Sequence, residues 1–244
     1  MTHDKIVIFG YPRSGTKLLA DAFVQNDYHN FGEFFNTYSS EIILGYKPYA
    51  RRTSIERQKQ LHEMRMASPS FDEIKHAKES EIRLNEYNKK SNISPSVVTI
   101  WPETFGLLPG MFHHLHGKYI LCTTRKNKFE QFLSRLLTYY NCNYDGEIVS
   151  EPIEVEMRIV EILYASFFKT EYMQHEIVRL GLGEFVDFDD LIAGKADLGF
   201  EYEVRTEDQH IDVESLIKNL DEVKAKIKEL RENNLKIQSF MVIE

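Results

Sequence analysis

Apolar residues along this chain gather in short runs separated by longer amphipathic stretches. Five runs have strand character: Lys5–Phe9, Tyr28–Phe31, Ser96–Trp101, Lys118–Thr123 and Glu184–Phe188. Each is bounded by polar or turn-forming residues. The first, third and fourth are rich in β-branched residues or nearly continuous in apolar ones, as strands buried on both faces are. Helical periodicity follows several of them, in Leu18-Leu19-Ala20-Asp21-Ala22-Phe23 and again in Phe129, Phe132, Leu133, Leu136 and Leu137. Strands alternating with helices predict an α/β fold: a central parallel sheet of about five strands with helices on both faces. Ligands of such sheets bind beyond the carboxyl ends of the strands, so the loops that follow each run are where chemistry is expected.

Two segments depart from this alternation. Residues 47–92 are charged and helix-favouring, with a local basic excess that includes Arg51, Arg52, Arg57, Lys59, Arg65, Lys75 and Lys78. This reads as a helical insertion in a single domain spanning 1–244, either a solvated hairpin or a lid that attracts anionic ligands. At the other end, Val213, Leu216, Leu220, Val223, Ile227 and Leu230 recur at steps of three and four. They predict an amphipathic helix over 212–235, with Asp212 as N-cap and Asn233-Asn234 as its stop. The seam is either packed on its own domain or a homodimer contact.

The richest signal lies directly behind the first strand. Gly10-Tyr11-Pro12-Arg13-Ser14-Gly15-Thr16-Lys17-Leu18 is a glycine-bounded loop that opens a helix. Such a corner turns backbone N–H groups inward and adds the positive end of a helix, which together cradle phosphate. Two glycines five apart are weak evidence alone; with glycine at about 7% of residues, such a pair arises about once by chance in a chain this long. The flanking strand and helix give it weight. The order of residues differs from the nucleoside-triphosphate loop G-x-x-x-x-G-K-[ST], because Thr16 precedes Lys17 and Leu18 follows it. The hydroxyl that would hold magnesium is out of place. A second basic group, Arg125, leaves the carboxyl end of the fourth run, and Ser134 follows on the next helix. An arginine and a hydroxyl so placed can share one phosphate.

Composition narrows the class. The formal net charge of −8 argues against a nucleic-acid partner, and no apolar run approaches the roughly 18 residues of a membrane span. The 42% hydrophobic content, with 16 Phe and 13 Tyr, is ample for a core. The strand that begins at Lys5 leaves no room for a signal peptide. Cys122 and Cys142 make no disulfide framework, and Cys122 lies in an apolar run where a buried thiol is expected. These features point to a cytoplasmic protein. His113, His114 and His116 sit in a turn without matching Cys or acidic partners, so no metal is assigned to them.

Taken together, Pro12-Arg13-Ser14-Gly15-Thr16 and the Arg125/Ser134 pair resemble the sulfotransferases that use 3′-phosphoadenosine 5′-phosphosulfate (PAPS). That family carries P-[KR]-S-G-T after its first strand, and an Arg and Ser eight or nine residues apart that hold the 3′-phosphate. The likeness covers residues 5–140 and, more loosely, Asp189-Asp190-Leu191. It implies a P-loop NTPase-like sulfotransferase fold and PAPS as co-substrate without a metal. It also implies cofactor contacts from Arg13, Ser14, Gly15, Thr16, Lys17, Leu18, Arg125 and Ser134. Arginine at position 13, and Lys17-Leu18 in place of Thr-Trp, set the chain nearer the bacterial, viral and carbohydrate branches than the cytosolic small-molecule one. The Arg-Lys-Gly loop near the C-terminus of that cytosolic branch has no counterpart here.

Sulfuryl transfer needs cations where the leaving phosphate gains charge and a base for the acceptor hydroxyl. Arg13 and Lys17 are the candidate cations. Two acids follow strands: Glu33, in Glu33-Phe34-Phe35-Asn36, and Glu103, in Trp101-Pro102-Glu103-Thr104. Glu33 is the expected base, since its segment looks like a short form of the one holding the catalytic Glu in carbohydrate sulfotransferases. The acceptor is expected to be a hydroxyl on a carbohydrate or other small molecule. The competing readings are a P-loop kinase or NTPase, and a non-catalytic nucleotide-binding module.

Overall fold

The structure is a computed structural model that describes residues 3–32, 89, 93–100, 118–141, 152–203 and 212–241. The side chains of 139, 141 and 234–241 are not part of that description. The insertion at 47–92 falls outside it, apart from the helical Lys89.

All five expected strands form. They are β1 (Lys5–Gly10), β2 (His29–Asn30), β3 (Ser96–Ile100), β4 (Tyr119–Thr124) and β5 (Gly183–Asp187). They make one sheet in the order β2-β3-β1-β4-β5, and every pairing is parallel. The helices are α1 (Thr16–Val24), α2 (Lys128–Asn141), α3 (Met157–Arg179), α4 (Phe188–Ile192) and α5 (Leu220–Met241). No helix among the described residues is long and apolar enough to cross a membrane.

The chain divides into two compact units. The first holds Met1–Lys126 and Thr170–Asp208, and the second Asn127–Lys169 and Gln209–Glu244. The sheet lies wholly in the first. β1, β3 and β4 are covered on both faces, which is why they read as apolar runs rather than as alternating ones, while the edge strands β2 and β5 are largely exposed. Alternate residues of β1 go opposite ways. Ile6 and Ile8 join Leu19, Ala20 and Phe23 of α1 and Leu191 of α4. Val7 and Phe9 join Val98, Ile100, Cys122 and Ile177, the last from α3. Cys122 is fully buried, and burial pushes its thiol up to about 12, so it is an inert core residue.

In the second unit, Phe132 packs edge-on to Tyr164 and Phe167, with ring centroids 5.6 and 5.7 Å apart. Here the C-terminal expectation needs correcting. The helix begins at Leu220, eight residues later than Asp212, and continues through Asn233-Asn234 to Met241. Asp212 does cap, accepting the N–H groups of Glu214 and Ser215 at 3.2 and 3.4 Å, but only a single turn. Ile217 then bridges to Ile153. Asn219 exchanges two 2.9 Å side-chain bonds with the Val155 backbone, and its carbonyl accepts the first bond of α5 from Val223. Asn219 is therefore the N-cap that starts the helix. Val213 and Leu216 have the right spacing but belong to the turn. The two asparagines cost only a few tenths of a kcal/mol each and do not end a helix.

Candidate functional site

The order β2-β3-β1-β4-β5 puts β1 where the strand order reverses, and the loop after β1 therefore opens at the point where such sheets bind ligands. Tyr11-Pro12-Arg13-Ser14 forms a tight turn closed by Ser14 N–H to Tyr11 O at 3.2 Å. Proline at the second position and a positive φ at the third match a type II turn. The third residue is Arg13, at φ 69. A positive φ is uncommon for a residue other than glycine, and among the described non-glycine residues only Asp27 shares it. Arg13 and Lys17 are exposed, while Tyr11 and Pro12 before them and Ser14 and Thr16 between them are buried. Both candidate cations are thus open to solvent.

Gly15 follows at φ 87 and is the N-cap of α1. The first intrahelical bond runs from Leu19 N–H to Gly15 O. The N–H groups of Thr16, Lys17 and Leu18 precede it and carry no intrahelical bond. No side chain caps this end, and no acid stands in its first turn. An anion here would meet backbone donors, the helix dipole and two cations together.

The loop is held from below by hydroxyls. Ser14 Oγ donates to Tyr11 O at 2.6 Å and lies 2.6 Å from Thr123 Oγ1. A hydroxyl has one proton, so Thr123 must be the donor of the second bond. Ser14 is 1% exposed, and both its hydroxyl and its N–H are engaged inside the protein. The sequence reading gave Ser14 to the ligand; here it fastens the loop to β4. Beneath it, Gln174 of α3 is 3% exposed. Its Nε2 donates to Phe9 O at 3.1 Å and to Thr123 O at 2.8 Å, tying the carboxyl ends of β1 and β4.

Arg125 leaves β4 two residues beyond Thr123, which pairs with Gly10 in the sheet. Its guanidinium carbon stands over the Phe188 ring, 5.0 Å from the centroid. The next residue, Lys126, bonds Asp190 at 3.0 Å and lies 3.7 Å from Asp187. The hydrogen bond to Asp190, and after it the nearby carboxylates, hold its ammonium above its ordinary value. Asp187 in turn caps α4 by accepting from Asp189 and Asp190 N–H at 2.9 and 3.3 Å. The candidates Arg13, Ser14, Gly15, Thr16, Lys17, Leu18 and Arg125 therefore all belong to the first unit, at the carboxyl ends of β1 and β4.

Ser134 is a residue of α2 in the second unit. It is 8% exposed, among Phe132, Leu133, Leu136 and Leu137, which are buried too. Glu33, Glu103, the aromatics Phe34, Phe35, Trp101 and Phe105, the three histidines and Cys142 lie outside the described residues. Gly32, the residue before Glu33, accepts Thr99 N–H at 2.9 Å beside β3.

A scan against protein-family models matches no family, and a search of curated proteins returns no match. The site therefore stands on its own geometry. Three of its residues escaped the sequence reading. Thr123 could have been noticed as a hydroxyl at the end of a buried strand, and Phe188 as the residue heading Asp189-Asp190-Leu191. Gln174 gave no signal, being one polar residue in a long helix.

Arg13 offers a direct test. Arg13→Gly relieves the positive φ and is expected to stabilise the protein by about 1 kcal/mol. That would raise Tm by roughly 2–4 °C in a chain this size, while anion binding falls. A variant less stable than the parent would show that the turn needs the arginine for its own folding.

Proposed function

We propose that the protein is a sulfotransferase that moves a sulfuryl group from PAPS to a hydroxyl of a carbohydrate or other small-molecule acceptor. The observation that carries this reading is the arrangement at the ends of β1 and β4. Arg13, at φ 69, and Lys17 are both exposed on the segment that follows β1, and Arg125 leaves the neighbouring strand at its carboxyl end. Two separate basic groups suit a nucleotide with phosphate at two positions.

In the reaction the acceptor oxygen attacks sulfur as the bond from sulfur to the 5′-phosphate oxygen breaks. The electron pair goes to that phosphate oxygen, and PAP leaves. Arg13, Lys17 and the N–H groups at the start of α1 meet the growing charge. Positioning and charge stabilisation are most of what such a loose transition state asks. Arg125 is assigned to the 3′-phosphate, and Glu33 to the acceptor's proton, with Glu103 as the other acid that follows a strand.

A thermal-shift comparison tests the reading. PAP should stabilise the protein without added metal, by about 2.7 kcal/mol at roughly a hundredfold excess over Kd, and more than AMP does. Arg125→Ala should remove most of that preference, since a charge-assisted bond contributes roughly 1.5–3 kcal/mol. Equal shifts from PAP and AMP would overturn the proposal, and a larger shift from Mg²⁺-ATP would favour a kinase.

A further inference from the structure

Phe188 stands where three parts of the first unit meet. A Cβ added at Gly15 would come within 2.5 Å of Phe188 Cδ2 and 3.2 Å of Cε2, so the edge of the ring lies against the loop. The Arg125 guanidinium lies over the same ring. The ring's own place is fixed from below. Phe188 is the first residue of α4, directly after the capping Asp187, and Asp187 pairs with Thr124 in the sheet. Lys126 ties the end of β4 to the same turn through Asp190. One aromatic ring thus touches both the loop that opens α1 and the cation that ends β4.

An arginine side chain has several rotatable bonds to order, and less freedom is lost on binding if the guanidinium is already stacked. A ring over which the guanidinium is attracted supplies that order. From this juxtaposition we propose that Phe188 is a positioning residue: it fixes the separation between the Gly15 loop and Arg125, and so makes the site select a nucleotide with anionic groups at both its 5′ and 3′ positions. The inference rests on the function proposed above for the identity of that nucleotide. Phe188 touches neither phosphate in this role; it acts through Arg125. The close approach also explains why position 15 must lack a side chain, beyond the demand of its φ.

The test measures Kd for PAP and for AMP by calorimetry in the parent, Phe188→Leu and Phe188→Tyr, with Arg125→Ala alone and combined with Phe188→Leu. Leucine keeps the apolar contact with Gly15 but has no ring face; tyrosine keeps the face. Phe188→Leu should lower the preference for PAP over AMP about fivefold while AMP affinity stays within about twofold, as expected for loss of one cation–ring contact. Phe188→Tyr should keep the preference, and Phe188→Leu should change nothing further once Arg125 is gone. Equal losses for PAP and AMP would make the ring a nucleoside contact and overturn the proposal, as would an unchanged preference. If the parent itself binds PAP no better than AMP, the sulfotransferase reading falls. Ligand-free urea melts then decide the pair: the shifts for Arg125→Ala and Phe188→Leu should combine to less than their sum if the ring holds the arginine, and full additivity would reject it.

Discussion

Gly10→Ala is expected to be among the most damaging single-methyl changes available in this protein. Gly10 is the last residue of β1 and pairs with Thr123 across the sheet. A Cβ there would overlap Thr123 Oγ1 and come within 2.8 Å of Ser14 Oγ and 2.9 Å of Thr16 Cγ2. Thr123 cannot swing aside cheaply, because its hydroxyl is the donor that fastens Ser14. Overpacking of this kind costs roughly 1–3 kcal/mol. A buried hydroxyl that loses its partner adds roughly 1–3 kcal/mol. The expected loss is therefore about 2–6 kcal/mol, read as a lower urea midpoint at unchanged slope. A second variant separates the clash from any general intolerance of β1. Thr123→Ala removes the overlapping oxygen, so Gly10→Ala with Thr123→Ala should be more stable than Gly10→Ala alone, by about 1 kcal/mol or more. A double variant whose losses simply add would mean that the methyl group is tolerated by some other movement of the loop.

The sheet was legible in the sequence because parallel strands covered on both faces leave a strong trace. Ile6-Val7-Ile8-Phe9 and Val97-Val98-Thr99-Ile100 are apolar at nearly every position, and each is a strand. The loop after β1 was legible for a similarly local reason: two glycines between an apolar run and a helical pattern mark the corner, although the positive φ at Arg13 left no trace. What could not be read was non-local. Ser14 reads as a loop residue facing a ligand, and nothing local reveals that its hydroxyl also meets Thr123, 109 residues away. Phe188 acquires its place only when β5 delivers it beside Gly15. At the C-terminus two capping signals compete, Asp212 and Asn219, and only the backbone of Val155, 64 residues from Asn219, decides between them. Local chemistry marked the loop; pairs distant in sequence determine how it is held.

Glu33→Gln is expected to have the largest effect on turnover, and it separates chemistry from binding. Glutamine keeps the size and polarity of glutamate but does not take a proton at neutral pH. If Glu33 accepts the acceptor's proton, kcat should fall by roughly 10²–10⁴-fold, the range for a positioned general base. Affinity for PAP should scarcely change, because the base meets the acceptor and not the adenine nucleotide. Arg13→Ala should behave differently. Its guanidinium is assigned to the leaving phosphate, so donor binding and turnover should weaken together, the pattern of a group that touches the nucleotide in both ground and transition states. A pooled screen of hydroxyl-bearing metabolites with labelled PAPS supplies the acceptor for both measurements. The two variants then bracket the proposed site from opposite sides of the transferred group. Should Glu33→Gln turn over at the parent rate while Glu103→Gln is inactive, the base follows β3 and the acceptor lies on that side of the loop.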